Sequence, residues 1–324
     1  MNDLARLFEP DEARDMLRKL AGLLIGLGLF MAFIRKSDPN LGETWGDWGL
    51  LIVLLLAFAF LYGVGMLGRL NTAGLRPWEA VYIVFGVLLA PFLLFQFVEA
   101  VNGTPGAALN VFWIFLVTGA LAAAGSLVAG VGYGLLLAAL ALIVSWSALW
   151  DKILSGGISA HYGVYRGLLL VFAALLLGAA LVAFRADRDR GPGRANELVT
   201  GAAVAAVLAG AISFTKLFSS PFFNPPTAES AFFWELVLLA VSLLAIAYGT
   251  RLGSRGATYV GGIGLLIFLI VAGADINDAT PAGNIVGWPL VLVVGGLLAF
   301  AASLVPGLKA SAEPGRRPEG PRPG

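Results

Sequence analysis

Cysteine is absent from the 324 residues, so the chain has no disulfide framework, no thiolate metal site and no cysteine nucleophile. Histidine occurs once, at His161, which excludes a multi-histidine metal site. Charge is scarce, at 13% of residues against the roughly one quarter usual in soluble domains. The balance of 21 basic and 20 acidic residues leaves a formal net charge of +1, so no cationic face for nucleic acid is expected. Catalytic signatures are missing as well. The chain carries no phosphate-loop lysine motif, no His-Glu-x-x-His pair and no nucleophile elbow. No cofactor is expected, and a non-enzymatic reading is favoured.

Apolar residues fill the space that these absences leave. The set AVILMFWYC makes up 59% of the chain and mean hydropathy is +0.87, leaving too little polar surface to cover a water-facing globule. The apolar residues run in blocks of about twenty, the length of helix that crosses a bilayer. The expected fold class is therefore all-α, a polytopic transmembrane helical bundle. Ten spans are expected, at about 20–34, 48–66, 79–98, 110–129, 132–150, 167–184, 198–215, 232–248, 258–273 and 285–306. Between the fourth and fifth, Gly130-Val-Gly-Tyr-Gly134 must reverse the chain without a charged residue, where glycine supplies the backbone angles.

Lysine and arginine in the intervening segments set the orientation, because cytoplasmic segments carry the excess. With the N-terminus inside, 16 of the 21 fall on the cytoplasmic side, among them Arg69, Arg76, Arg185, Arg188, Arg190 and Arg194. The other five, Arg35, Lys36, Lys152, Arg166 and Lys216, fall in outer segments. The expectation is a multi-pass protein of the cell (inner or plasma) membrane with both termini cytoplasmic. The first apolar run is read as a retained helix, since it follows nineteen mostly polar residues and has no small-residue cleavage motif behind it.

An internal repeat is expected from matches between 79–184 and 197–306. Glu79 falls over Glu197, Phe112-Trp113 over Phe233-Trp234, Tyr133 over Tyr259 and Asp151 over Asp275. Four spans per unit would preserve orientation and give a parallel 4+4 repeat. The organisation is then a charged N-terminal segment 1–19, a hairpin 20–78, repeat units 79–184 and 198–306 joined by a basic loop 185–197, and a Pro/Gly/Arg-rich tail 307–324 expected to be disordered.

Other patterns have bland readings. Gly63-x-Gly65-x-x-Gly68 matches a dinucleotide fingerprint only as a string, because no strand precedes it. Small residues at helical spacing, Gly22 and Gly26, Ala120 and Ala124, and Ala202, Ala206 and Gly210, fit close helix packing in lipid. Tryptophans 45, 48, 146, 150 and 288 fall near outer span ends as an interfacial belt. No ionisable group lies near a span centre, which argues against a proton pump or voltage sensor.

The outer segments are acidic. Asp151 and Asp275 match under the repeat, and Asp275-Ile-Asn-Asp278 adds oxygen ligands suited to a hard cation. Asp151, Asp275, Asp278, Glu99 and His161 are the candidate residues of an outward-facing cation vestibule. No dedicated metal site is assigned.

Short loops, abundant Ala, Gly, Leu and Val, arginine preferred to lysine, and patches such as Leu75-Arg-Pro-Trp-Glu79 and Gly287-Trp-Pro289 form one texture. It resembles that of bacterial multi-pass membrane proteins of unknown function, a resemblance that implies no activity. Ten spans with both ends inside is also similar to the drug/metabolite transporter architecture, where the repeat is an inverted five plus five rather than a parallel four plus four. Two classes of function follow. The first is a non-enzymatic membrane component: an assembly partner, lipid-interacting scaffold or sensor. The alternative is a small-solute or cation permease with its pathway between the repeat units. The expected partners are membrane lipids and a second copy of the chain or another membrane protein, with no nucleic acid.

Overall fold

A chain buried in hydrocarbon must satisfy its own backbone polar groups, and a helix does so within one segment. In the computed structural model, which describes residues 12–36, 46–70, 76–154, 161–187, 190–212, 232–278 and 293, every regular element is helical. The helices are α1 (Glu12–Lys36), α2 (Asp47–Phe58), α3 (Val64–Leu70), α4 (Pro77–Ala100), α5 (Ala108–Ala124), α6 (Gly134–Ile153), α7 (Tyr162–Ala186), α8 (Gly191–Ala211), α9 (Phe232–Leu252) and α10 (Arg255–Asp278). A π-helical turn, Ala59–Gly63, joins α2 to α3 into one rod, and a second, Gly125–Ala129, extends α5.

Seven of these segments are long and apolar enough to cross a membrane: α1, the α2–α3 rod, α4, extended α5, α6, α7 and α9. The protein is thus membrane-embedded and all-helical among the described residues. The expected count of ten is larger for identifiable reasons. Helix α8 is built mostly of Gly and Ala and carries Arg194 and Glu197, which lowers its apolarity. The shorter apolar stretch of α10 is Arg255–Val271. The expected span 285–306, apart from Val293, and the tail 307–324 lie outside the described residues.

Local chemistry places the helix ends. Pro77 opens α4, where its missing N–H is no loss, and the Glu79 carboxylate accepts the Arg76 backbone N–H at 2.9 Å. The reversal after α5 uses left-handed backbone at Gly130 (φ 78°) and Tyr133 (φ 66°). Gly253 (φ 70°) plays the same part between α9 and α10. Only Gly and a few others adopt this region without strain, so the Gly130 to Gly134 stretch does turn the chain, with Tyr133 supplying one of the two left-handed positions.

By chain contacts the molecule divides into two compact units. One comprises residues up to His161 together with Ala174–Gly201; the other comprises Tyr162–Ala173 and residues from Ala202 on. In the first, α1 runs parallel to α4: Arg18 lies over Trp78, Gly22 meets Tyr82, Gly26 meets Phe85, and Phe33 meets Phe92. The α2–α3 rod runs antiparallel to α4, with Asp47 beside Gln96 and Gly65 against Ile83. A Cβ on Gly68 would lie 2.9 Å from the Trp78 ring, so Gly65 and Gly68 are helix-packing positions, whereas Gly63 faces open space. Helices α5 and α6 form an antiparallel hairpin, and Glu197 and Gly201 of α8 meet Leu135 and Ala139 of α6. These pairings bring the starts of α1, α4, α6 and α8 and the ends of α3 and extended α5 to one end of the unit.

In the second unit α9 and α10 form another antiparallel hairpin. Gly261 and Gly264 pack against Ser242, while Gly249 packs against Thr258. Arg166 corrects the sequence reading. It was expected in an outer loop before a span at 167, but α7 begins at Tyr162, and Arg166 is a helical side chain only 2% exposed. Its guanidinium lies 5.2 Å from the Trp234 ring centre, with the buried Glu235 carboxylate near enough to attract it. Partners on α9 let this cation enter the helix.

Candidate functional site

Depth polarity is mostly absorbed by the backbone. Ser145 donates to the Phe112 carbonyl at 2.9 Å, Thr118 to Ile114 at 2.9 Å, Ser147 to Ile143 at 2.9 Å and Ser242 to Leu238 at 2.6 Å. Such bonds tie helices or relieve a buried hydroxyl.

The outer candidates are distributed as follows. Glu99 is exposed in the last turn of α4, Asp151 is exposed near the end of α6, and His161 stands before the first residue of α7. Asp275 and Asp278 belong to the last turn of α10, in the other compact unit from Asp151, and their carboxylates lie outside the described side chains. Among the described residues, no group of three His, Cys, Asp or Glu is placed to hold a metal ion.

The best-formed polar site is at the other end of the first unit. A cavity of about 320 Å³ is lined by Arg69 from the end of α3, Ser126 and Gly130 from the end of extended α5, and Arg190, Arg194 and Glu197 from the start of α8. Three cations and one carboxylate therefore share one wall. The Arg69 Nε–H donates to the Ala129 carbonyl at 3.0 Å, and Arg194 reaches the Leu127 carbonyl at 3.4 Å and the Asp187 carboxylate at 3.6 Å. Carbonyls freed by the π-turn and the chain reversal thus tether guanidinium groups that would otherwise sweep through solvent.

Glu197 is anchored differently. Its Oε2 accepts backbone N–H bonds from Leu135 at 2.9 Å and Leu136 at 3.3 Å, in the first turn of α6. The orphan amides and the dipole of a helix start favour an anion there. Burial pushes the carboxyl above its ordinary value of 4.5, while the amides of Tyr133, Leu136 and Leu135 and the nearby Arg194 pull the other way. A raised folded-state value contributes stability that is present below about 4.5 and lost as pH rises through the raised value. The melting temperature of the purified protein should contain a component that falls over that window. Glu197→Gln should flatten it, and an unchanged slope in the variant would assign the effect elsewhere.

In the sequence, Arg69, Arg190 and Arg194 stand out only as orientation signals. Three arginines bordering short segments on one side of the membrane are visible in the chain, but their convergence depends on α3, α5 and α8 ending side by side. No protein-family model, curated protein or solved structure matches the chain, so its functional reading rests on these residues.

Proposed function

We propose that this chain is a non-enzymatic, multi-pass component of the cell membrane whose working surface is the arginine-bearing end of its first compact unit, where it engages membrane lipid or a membrane partner. The observation that carries this reading is the cavity, where cations from two helix ends meet beside a helix-anchored carboxylate. This arrangement is built for recognition, having a fixed charge pattern and an opening at the level of the helix ends.

The reading includes ten spans with both termini cytoplasmic, so that the arginine-bearing end faces the cytoplasm as the 16 to 5 distribution requires. The alternating pairing of α1 through α6, with α8 parallel to α6, supports the odd-even order of the early spans. The parallel 4+4 repeat draws support from the two hairpins it equates. Helices α5–α6 and α9–α10 are each closely packed, and each turns at a left-handed glycine, Gly130 or Gly253. Reporter fusions test the topology: those after residues 105, 160 and 280 should be active outside, and those after 72, 190 and 254 should be silent. The inverse pattern would place the cavity on the opposite side and end the reading.

A further inference from the structure

We propose that the cavity bounded by Arg69, Arg190, Arg194 and Glu197 binds a phosphate-bearing ligand. The inference rests on the reading above for which compartment the ligand comes from, and on the cavity alone for its chemistry. A guanidinium presents a planar fork of N–H donors that matches two oxygens of a phosphate, and its charge persists at every physiological pH. Three such groups enter one cavity from two separate parts of the chain. Arg69 and Arg194 are held by carbonyls of the α5 end, so part of the ordering a ligand would demand is already in place.

The charge pattern of the lining favours an anion. The lining carries three cations against Glu197, whose own charge is offset by the amides and dipole of α6. Asp187, 3.6 Å from Arg194, engages that arginine from outside the lining. The surplus is positive. The cavity is open to solvent, because Gly132 has open space where a side chain would stand and Arg190 is an exposed side chain at the rim. At about 320 Å³ the cavity is at the low end of the range for small-ligand pockets, matching a phosphate with a few attached atoms. Helix ends at this level of a membrane protein lie among lipid headgroups, so the phosphate could belong to an anionic lipid or arrive free from solution.

The full chain, purified in an uncharged detergent, is heated with inorganic phosphate, and with chloride and acetate at equal ionic strength. In parallel it is reconstituted into phosphatidylcholine vesicles with and without phosphatidic acid. A ligand that binds only the folded state raises the melting temperature. A rise of several degrees with inorganic phosphate identifies a free phosphate, and a rise only with phosphatidic acid identifies a lipid headgroup; either supports the proposal. Arg190→Gln, whose exposed side chain makes the variant safe for folding, should weaken the effect at least about fivefold. Arg185→Gln, an arginine outside the lining, should leave it intact. No selective rise in either arm, an equal rise with acetate, or equal losses in the two variants would overturn the proposal. Because topology is read independently by the fusions, loss of phosphate binding with the expected fusion pattern condemns the ligand assignment and not the membrane reading.

Discussion

Arg166→Met should destabilise the protein by about 3 kcal/mol or more, the range seen when one partner of a buried pair is removed. The substitution keeps most of the side-chain volume, so little of the effect comes from a cavity. It removes the cation attracted by Glu235 and placed over Trp234, and leaves a carboxylate that is itself almost fully buried. Loss of the ring contact alone accounts for about 2 kcal/mol. Trp234→Leu should therefore cost less than Arg166→Met, and magnitude separates the two contributions. In the double variant Arg166→Met/Glu235→Gln the stranded charge is gone, and much of the stability should return. Unfolding by graded denaturant in mixed micelles measures these three variants, the Glu235→Gln single variant and the unaltered protein. Additive losses in the double variant would show that the two side chains do not depend on each other.

Gly86→Leu should produce a loss of similar size, about 3 kcal/mol, by overpacking. A Cβ built on Gly86 would stand 2.8 Å from the Tyr62 Cβ, 3.0 Å from its backbone N and 3.1 Å from its Cα. Backbone must therefore move, and this backbone is the π-turn between α2 and α3. Tyr62 is further held by a 2.9 Å hydrogen bond from its hydroxyl to the Leu121 carbonyl and by stacking on Phe58. Leucine gains only up to about 1 kcal/mol of helix propensity over glycine, too little to offset that displacement. Gly28→Leu supplies the opposite case, since nothing lies within 4 Å of that position and the residue is exposed on α1. It should be neutral or mildly stabilising in the same denaturation experiment. Equal losses at both sites would mean that the close approach at Gly86 plays no part.

Both expected effects come from contacts that the chain does not announce. Gly86 looks like any other glycine in an apolar run until Tyr62 is set against it. Arg166 looks like a loop cation until α7 extends five residues further back than the apolar run. Sequence periodicity detects where hydrophobic residues stop, whereas a helix goes on for as long as its polar side chains find partners. The boundary error at Arg166 is thus itself a sign of the α9 partner. The small-residue positions Gly22 and Gly26 were legible as packing sites from their spacing, but not that Tyr82 and Phe85 of α4 fill the space they leave.

Composition and run length by themselves determined that this protein is helical and membrane-embedded, because hydrocarbon imposes one length and one backbone solution on any segment that crosses it. They also determined the reversal at 130–134, since a charge-free turn needs residues that tolerate left-handed backbone. Tertiary structure alone decided which ends meet. Arg69 and Glu197 are 128 positions apart in the chain, yet they line one cavity because α3, extended α5, α6 and α8 finish or begin at the same level. A one-dimensional pattern records how far each residue lies from a span end and on which side of the membrane. It holds no information on which spans are neighbours, and shared neighbours are what turn scattered arginines into a site.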